Sequence, residues 1–265
     1  MVEATLNYLA PLDERPYYYL YPPPEGHGWR NTKGDRQTMP IGDARALDPK
    51  PSLDVEGFAL VHHATRTDDL YDSAQVRRVF FPEVDRLVRQ ATGAARVVVF
   101  DHNVRCASRA ERKESGAQDP VRFVHCDYTE ASGPQRVRDL LSEAEAEDLL
   151  QRRFAVINVW KPIRGPVEES PLAFCDARSI AAHDVLGTDL RYRDRTGEVY
   201  SFLHSPDHRW YYYPRMEADE VLLLKCFDSD HQLARFTAHS AFDDPSSPVD
   251  APARESIEVR TLVFY

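Results

Sequence analysis

His125 and Asp127 stand two residues apart in the run R-F-V-H-C-D-Y-T, residues 122–129. Val121, Phe123 and Val124 favour a strand, and residues i and i+2 of a strand project from one face. An imidazole nitrogen beside a carboxylate oxygen gives two ligands for one cation. A further imidazole would complete a two-His-one-carboxylate face, the donor set that holds non-haem iron(II) with coordination positions left open. The pair is weak by itself. The chain has ten His and forty-three acidic residues, so chance alone predicts about 1.6 His-x-Asp/Glu pairs, and His125–Asp127 is the one present. A solvated surface pair is the commoner origin, and the weight falls on what the rest of the chain supplies.

His239 is the candidate third ligand. It lies on an expected strand, Leu233 to Phe242, that enters the loop before the last strand. On that last strand Arg254 and Ser256 are two apart and share a face, so a guanidinium fork and a hydroxyl converge on one point. That combination suits a carboxylate held bidentately in a dry pocket. A buried Arg lacking an anion would be costly. Arg260 shares the face, but six residues at 3.3 Å each put it roughly 20 Å from Arg254, too far to grip the same carboxylate. A pairing with Glu258, or with an acid across the sheet, suits it better.

Elements must bring these side chains together. Residues 1–52 are rich in Pro, Tyr and turn formers, and Tyr17 to Tyr21 followed by three prolines cannot be helical. They read as an arm over the body or a lid over a substrate mouth. Leu53–Val61 contains a short strand. Ser73 to Thr92 repeats apolar residues at helical spacing, with Ser73 as N-cap and Gly93 as terminator. Arg96–Asp101 reads as a buried strand, and Asp101, His102 and Arg105 after it as an ion-paired turn. Pro134 to Arg152 reads as one helix. Arg153–Ile163 reads as a central strand covered on both sides, with Phe154, Val156, Asn158 and Trp160 on one face. A buried Asn158 needs partners, either within the sheet or on a bound ligand. The second half, at 171–182, 190–213, 221–227, 233–242 and the C-terminus, is short strands punctuated by turns, the pattern of a jelly roll or small barrel.

Composition narrows the classes. The net charge of −10 has its Lys and Arg scattered among acids, so no basic stripe matches a phosphate backbone and nucleic acid is not an expected partner. The four Cys lack C-x-x-C spacing and read as reduced thiols. No apolar run reaches membrane length and no secretory leader is evident, so a cytoplasmic protein with no membrane partner is expected.

The order His-x-Asp, distant His, then Arg-x-Ser on the last strand resembles the iron(II)- and 2-oxoglutarate-dependent oxygenases. More narrowly, V-H-C-D-Y-T, I-N-V-W-K-P-I with P-L-A-F-C-D, Y-Y-Y-P-R-M-E-A-D-E-V-L-L-L-K-C-F-D-S and A-P-A-R-E-S-I-E-V-R resemble the hydroxylase/desaturase family of secondary metabolism. That family holds fungal gibberellin and polyketide desaturases and hydroxylases and the cephem hydroxylase component. The likeness runs from the Asn7–Tyr8 region to Tyr265.

The resemblance implies a mainly β fold with flanking helices around a double-stranded β-helix, a jelly-roll or cupin-like core. The chain would be one oxygenase domain over 1–265, with 1–52 as arm or lid, 53–95 as helical support and 96–265 as core. Iron(II) would be held by His125, Asp127 and His239, and 2-oxoglutarate by Arg254 and Ser256 with Asn158. A small-molecule metabolite, contacted by Trp160 and Tyr128, would be hydroxylated or desaturated with dioxygen, releasing succinate and carbon dioxide. Two other readings stay open: a metal-dependent hydrolase using the same two His and Asp, and a non-catalytic partner subunit of a biosynthetic enzyme. Oligomeric state is not legible.

Overall fold

The computed structural model describes residues 1–111 and 117–265. Three strands come from the first fifty residues: β1 (Val2–Leu9), β2 (Tyr17–Tyr19) and β3 (Gly34–Asp43). β1 and β3 pair antiparallel along their length, from Val2↔Ile41 to Leu9↔Gly34. This segment, read as an arm or lid, is thus built into a sheet. The reason is alternation: Ala4, Leu6 and Tyr8 are buried while Glu3 and Thr5 are exposed, so one face of β1 joins the core.

The middle of the chain forms β4 (Phe58–His62), β5 (Arg96–Arg105), β6 (His125–Cys126), β7 (Phe154–Pro162) and β8 (Leu172–Cys175). After these come β9 (Val185–Arg191), β10 (Thr196–Phe202), β11 (Trp210–Tyr212), β12 (Glu220–Asp228), β13 (His239–Ala241) and β14 (Ser256–Phe264). They form two sheets. One has nine strands in the order β1-β3-β11-β8-β13-β6-β10-β9-β2, the other five in the order β4-β12-β7-β14-β5.

The five-stranded sheet is buried on both faces. Its outer face, with Ala155, Ile157 and Val159 of β7, Val221 and Leu223 of β12 and Ile257, Val259 and Val263 of β14, packs on Val84, Leu87 and Val88. Those three lie on the helix Phe81–Thr92, and each such side chain taken out of water is worth about 1.5–3 kcal/mol. The inner face of β7 carries Phe154, Val156, Asn158 and Trp160, all buried, the set that period-two spacing predicts. On β14 the even positions Ser256, Glu258 and Arg260 turn inward between the sheets.

Several local expectations change. The helix is capped by Asp72, whose carboxylate accepts from the backbone N–H of Ala74 and Gln75, and Ser73 is its first residue. Gly93 ends it at φ 70°, a left-handed position that glycine takes without a Cβ penalty. The single helix expected over Pro134–Arg152 is two, Ser132–Leu140 and Glu143–Leu149, because Leu141 turns extended and Ser142 starts a new N-terminus. β5 does not stop at Asp101 but continues through Arg105. The strand expected over Leu233–Phe242 shrinks to β13, and that around His125 to β6.

Candidate active site

β6 and β13 are neighbours, and His125 lies directly opposite His239 in their ladder. Paired residues of an antiparallel ladder project from the same face. The two rings accordingly sit with centroids 4.4 Å apart at 55°. Asp127 comes just past the end of β6, with Oδ1 3.8 Å from His125 Nε2. One ligand atom from each of His125, Asp127 and His239 lies within 4.8 Å of the others. Two residues almost adjacent in sequence and one more than a hundred positions away therefore meet at a single point.

The surroundings prepare each donor. His125 donates from Nδ1 to the Phe123 carbonyl at 2.7 Å, which leaves the Nε2 lone pair turned toward Asp127. Burial, and then the neighbouring His239, push the His125 imidazole down to about 4, so it is neutral at neutral pH. Burial likewise lowers His239. His239 Nδ1 is buried without a partner. Burial alone would raise Asp127, but the Arg260 guanidinium beside it holds it below the ordinary carboxylate range. The result is two neutral nitrogen donors and one anionic oxygen, a donor set that fits a divalent first-row metal.

The opposite sheet completes the setting. Asn158 donates from Nδ2 to Asp127 Oδ2 at 2.7 Å, and Arg260 donates from Nε to the same oxygen at 3.1 Å. Arg260 also reaches Asp101 at 3.0 Å and Glu258 at 3.3 Å. Its pairing with Glu258 was legible; its grip on Asp127 was not, because the two residues are 133 positions apart on different sheets. Asn158, expected at the co-substrate, touches the Asp127 carboxylate through Nδ2, and its own Oδ1 is buried without a partner.

Arg254 is 3 % exposed, and among the described residues no carboxylate side chain lies within ion-pair distance of its guanidinium. Nη1 donates to the Ser170 carbonyl at 2.5 Å, the guanidinium lies 5.6 Å from the centre of the Trp160 ring, and Nε is buried without a partner. Burial and the nearby Arg105 push Arg254 down to about 9. The Ser256 hydroxyl is likewise buried and unpartnered. A guanidinium edge and a hydroxyl are thus left free beside the two imidazoles, which fits a dicarboxylate chelating a metal held there.

One pocket joins Arg254 to the two imidazoles, lined by Arg105, Val121, His125, Trp160, Leu172, His239, Arg254 and Glu258. Its volume is about 20 Å³, room for a single water and less than a five-carbon keto acid fills. On the far side of Asp127 a wider recess of about 610 Å³ is bounded by Tyr128, Arg136, Leu190, Tyr192 and Arg260, among others. Tyr128 therefore faces this recess, whereas Trp160 forms the wall behind Arg254. The sequence placed Arg105 in an ion-paired turn and Glu258 beside Arg260, and put neither in this pocket.

A two-sheet roll with this donor set and a free anion anchor defines a non-haem iron oxygenase. The comparisons agree. A family model described as "YDMC: Oxidoreductase/YMDC permease-like domain" matches residues 6–264. The Fe(II)/2-oxoglutarate-dependent dioxygenase nvfI of Aspergillus novofumigatus is 36% identical over 93% of this chain and 90% of its own length. The hydroxylase/desaturase CTB9 of Cercospora beticola is 32% identical over 96% of this chain and 89% of its own. The solved structure of the iron and alpha-ketoglutarate-dependent endoperoxidase NvfI superposes with a TM-score of 0.90 at 33% identity, covering 99% of this chain and 97% of that one. The chain belongs to the hydroxylase/desaturase family of iron(II)- and 2-oxoglutarate-dependent oxygenases, enzymes of secondary metabolism with a jelly-roll core. No helix among the described residues is long and apolar enough to cross a membrane.

Proposed function

We propose that this enzyme binds iron(II) through His125, Asp127 and His239 and anchors the distal carboxylate of 2-oxoglutarate on Arg254 and Ser256. It then oxidises a C–H bond of a small secondary metabolite, by hydroxylation or desaturation. The observation that carries the residue assignment is Arg254, a buried guanidinium with no carboxylate in reach among the described residues, beside three converging ligand atoms. Such a charge is kept in a protein interior when an anion joins it in the working state. A zinc hydrolase gives that anchor no task, and a non-catalytic partner subunit gives none to the three ligands.

When bound, iron(II) and 2-oxoglutarate supply the oxidising power, with dioxygen consumed and succinate and carbon dioxide released. The chain does the positioning. The Phe123 carbonyl fixes the His125 tautomer and so presents Nε2 inward. Asn158 and Arg260 occupy Oδ2 of Asp127 and leave Oδ1 on the His125 side. The Ser170 carbonyl and the Trp160 ring hold Arg254 from behind, leaving Nε for the co-substrate. Val121, Trp160 and Leu172 line the pocket and exclude water from the reacting centre. The recess past Tyr128 receives the metabolite, and its placement there decides between an alcohol and an alkene.

The test is spectroscopic. Anaerobic protein given iron(II) and 2-oxoglutarate should develop the weak visible charge-transfer band of the chelate, and His239→Ala should not. Absence of the band in the unmodified protein, with iron bound stoichiometrically, would overturn the assignment.

A further inference from the structure

The pocket that holds Arg254 has a second cation on its wall. Arg105 is the last residue of β5, an edge strand of the five-stranded sheet. In the ladder with β14, Arg105 stands directly opposite Ser256. Opposed residues of an antiparallel pair share a face, with Cβ atoms about 5 Å apart. The same register sets Asn103 against Glu258 and Asp101 against Arg260, so the inner face of β5 carries Asp101, Asn103 and Arg105 toward the site. Asp101 has a partner there, since Arg260 donates to it. Arg105 does not. Among the described residues its guanidinium makes one hydrogen bond, Nη1 to the Asp119 carbonyl at 2.8 Å, and no carboxylate lies within ion-pair distance.

Two guanidinium groups therefore bound one small pocket. The nearest acid in its lining, Glu258, already accepts from Arg260. Glu169 accepts from the backbone N–H of Arg254 and pairs with Arg122 rather than with Arg105. Like charges facing one enclosed space destabilise each other until an anion enters, and then both favour it. Ser256, whose buried hydroxyl has no partner, stands opposite Arg105 in the ladder and two residues from Arg254. Together the three groups form a cradle with more donors than one carboxylate needs from Arg254 alone.

We propose that Arg105 is a second anchor for the distal carboxylate of 2-oxoglutarate, acting with Arg254 and Ser256 to select a dicarboxylic keto acid over a monocarboxylic one. This rests on the reading of the pocket as the co-substrate site. Arg105→Gln should weaken 2-oxoglutarate binding by on the order of tenfold to a hundredfold, the worth of one charge-assisted hydrogen bond. Binding of 2-oxovalerate, which lacks the distal carboxylate, should be nearly unchanged. Arg105→Lys should recover part of the loss.

The experiment titrates anaerobic, iron(II)-loaded protein with each keto acid and follows binding by calorimetry, with circular dichroism confirming the fold of each variant. If the unmodified protein binds both acids equally, the co-substrate pocket itself is misassigned. If it prefers 2-oxoglutarate and Arg105→Gln keeps the whole preference, the second anchor is wrong. A measurement on the unmodified protein stands apart from any folding defect. Phenylglyoxal modification of Arg105, read by peptide mass spectrometry, should be suppressed by 2-oxoglutarate and not by 2-oxovalerate. Equal modification in both cases overturns the proposal.

Discussion

The Nε of Arg260 donates a 3.1 Å hydrogen bond to Oδ2 of Asp127 and ties the last strand of the five-stranded sheet to a residue at the end of the two-residue β6. β6 is too short to fix Asp127 by its own ladder. The carboxylate is instead held from across the roll by Arg260 and Asn158, which are themselves opposed in the β14–β7 ladder. Arg260 keeps its charge there because Asp127 and Glu258 outweigh the cost of its burial.

That arrangement predicts a metal-affinity effect from residues that touch no metal. Arg260→Gln and Asn158→Leu should each weaken iron(II) binding by about 10- to 100-fold, the usual cost of losing a hydrogen bond that orients a ligand. Competition with a chromogenic chelator measures it. Affinities within twofold of the unmodified protein would show that Asp127 needs no support.

A second prediction concerns the buried charges that close the five-stranded sheet. Lys225, with a fully buried side chain, donates from Nζ to Asp54 and to Asp228, each at 2.7 Å, and Arg153 pairs with the same two acids. Lys225→Met removes one partner of a buried pair and should cost about 3 kcal/mol, the lower end of the usual range because Arg153 remains. Adding Asp228→Asn should recover part of that in urea denaturation. A single variant as stable as the unmodified protein would refute the account.

The interior hydrogen-bond chain of Tyr8 offers a third. Trp210 donates from Nε1 to the Tyr8 hydroxyl at 2.6 Å, so that hydroxyl donates onward to Nδ1 of His208 at 3.2 Å, and Nε2 of His208 donates to Asp184 at 3.2 Å. Tyr8→Phe strands a donor and an acceptor in the core and should lower stability by about 2 kcal/mol, with the 4.4 Å pair of His125 and His239 left in place. Denaturant midpoints test the first part and metal content the second.

Acid should destabilise the fold in a defined window. Burial would raise Asp54, Asp176 and Glu220, but Lys225, Arg178 and Arg45 hold them below their ordinary values of 3.8, 3.8 and 4.5. A carboxylate whose folded value is depressed contributes stability that is complete above its unfolded value and is lost as pH falls through the folded one. The buried imidazoles of His102, His125 and His208, all held below their ordinary 6.5, act in the same direction at higher pH, so the urea midpoint should be level only above about pH 7, decline from about pH 6.5 and fall further below about pH 4 as the carboxylates protonate. Glu220→Gln should shallow that decline; a midpoint that rises on acidification would contradict the sign.

Much of the scaffold was readable because its periodicities are local. The inner face of β7 and the helix ending at Gly93 follow from spacing alone, whereas Arg254, expected on the last strand with Ser256, lies just before it, since β14 begins at Ser256. The alternation of Ala4, Leu6 and Tyr8 was equally available, yet the proline- and tyrosine-rich text beside it masked the strand. Expected strand lengths around His125 and His239 ran too long, since strand propensity does not say where a partner ends.

What the sequence determined by itself was the inventory and its order: a His-x-Asp pair, a distant His, an Arg-x-Ser on a closing strand, and enough short strands to roll. The tertiary structure alone decided that His125 opposes His239, that Asn158 and Arg260 serve Asp127, and that Arg105 faces Ser256. Those contacts join residues on different strands, and ladder register between distant segments is set by the packing of whole faces, which no local window of residues contains.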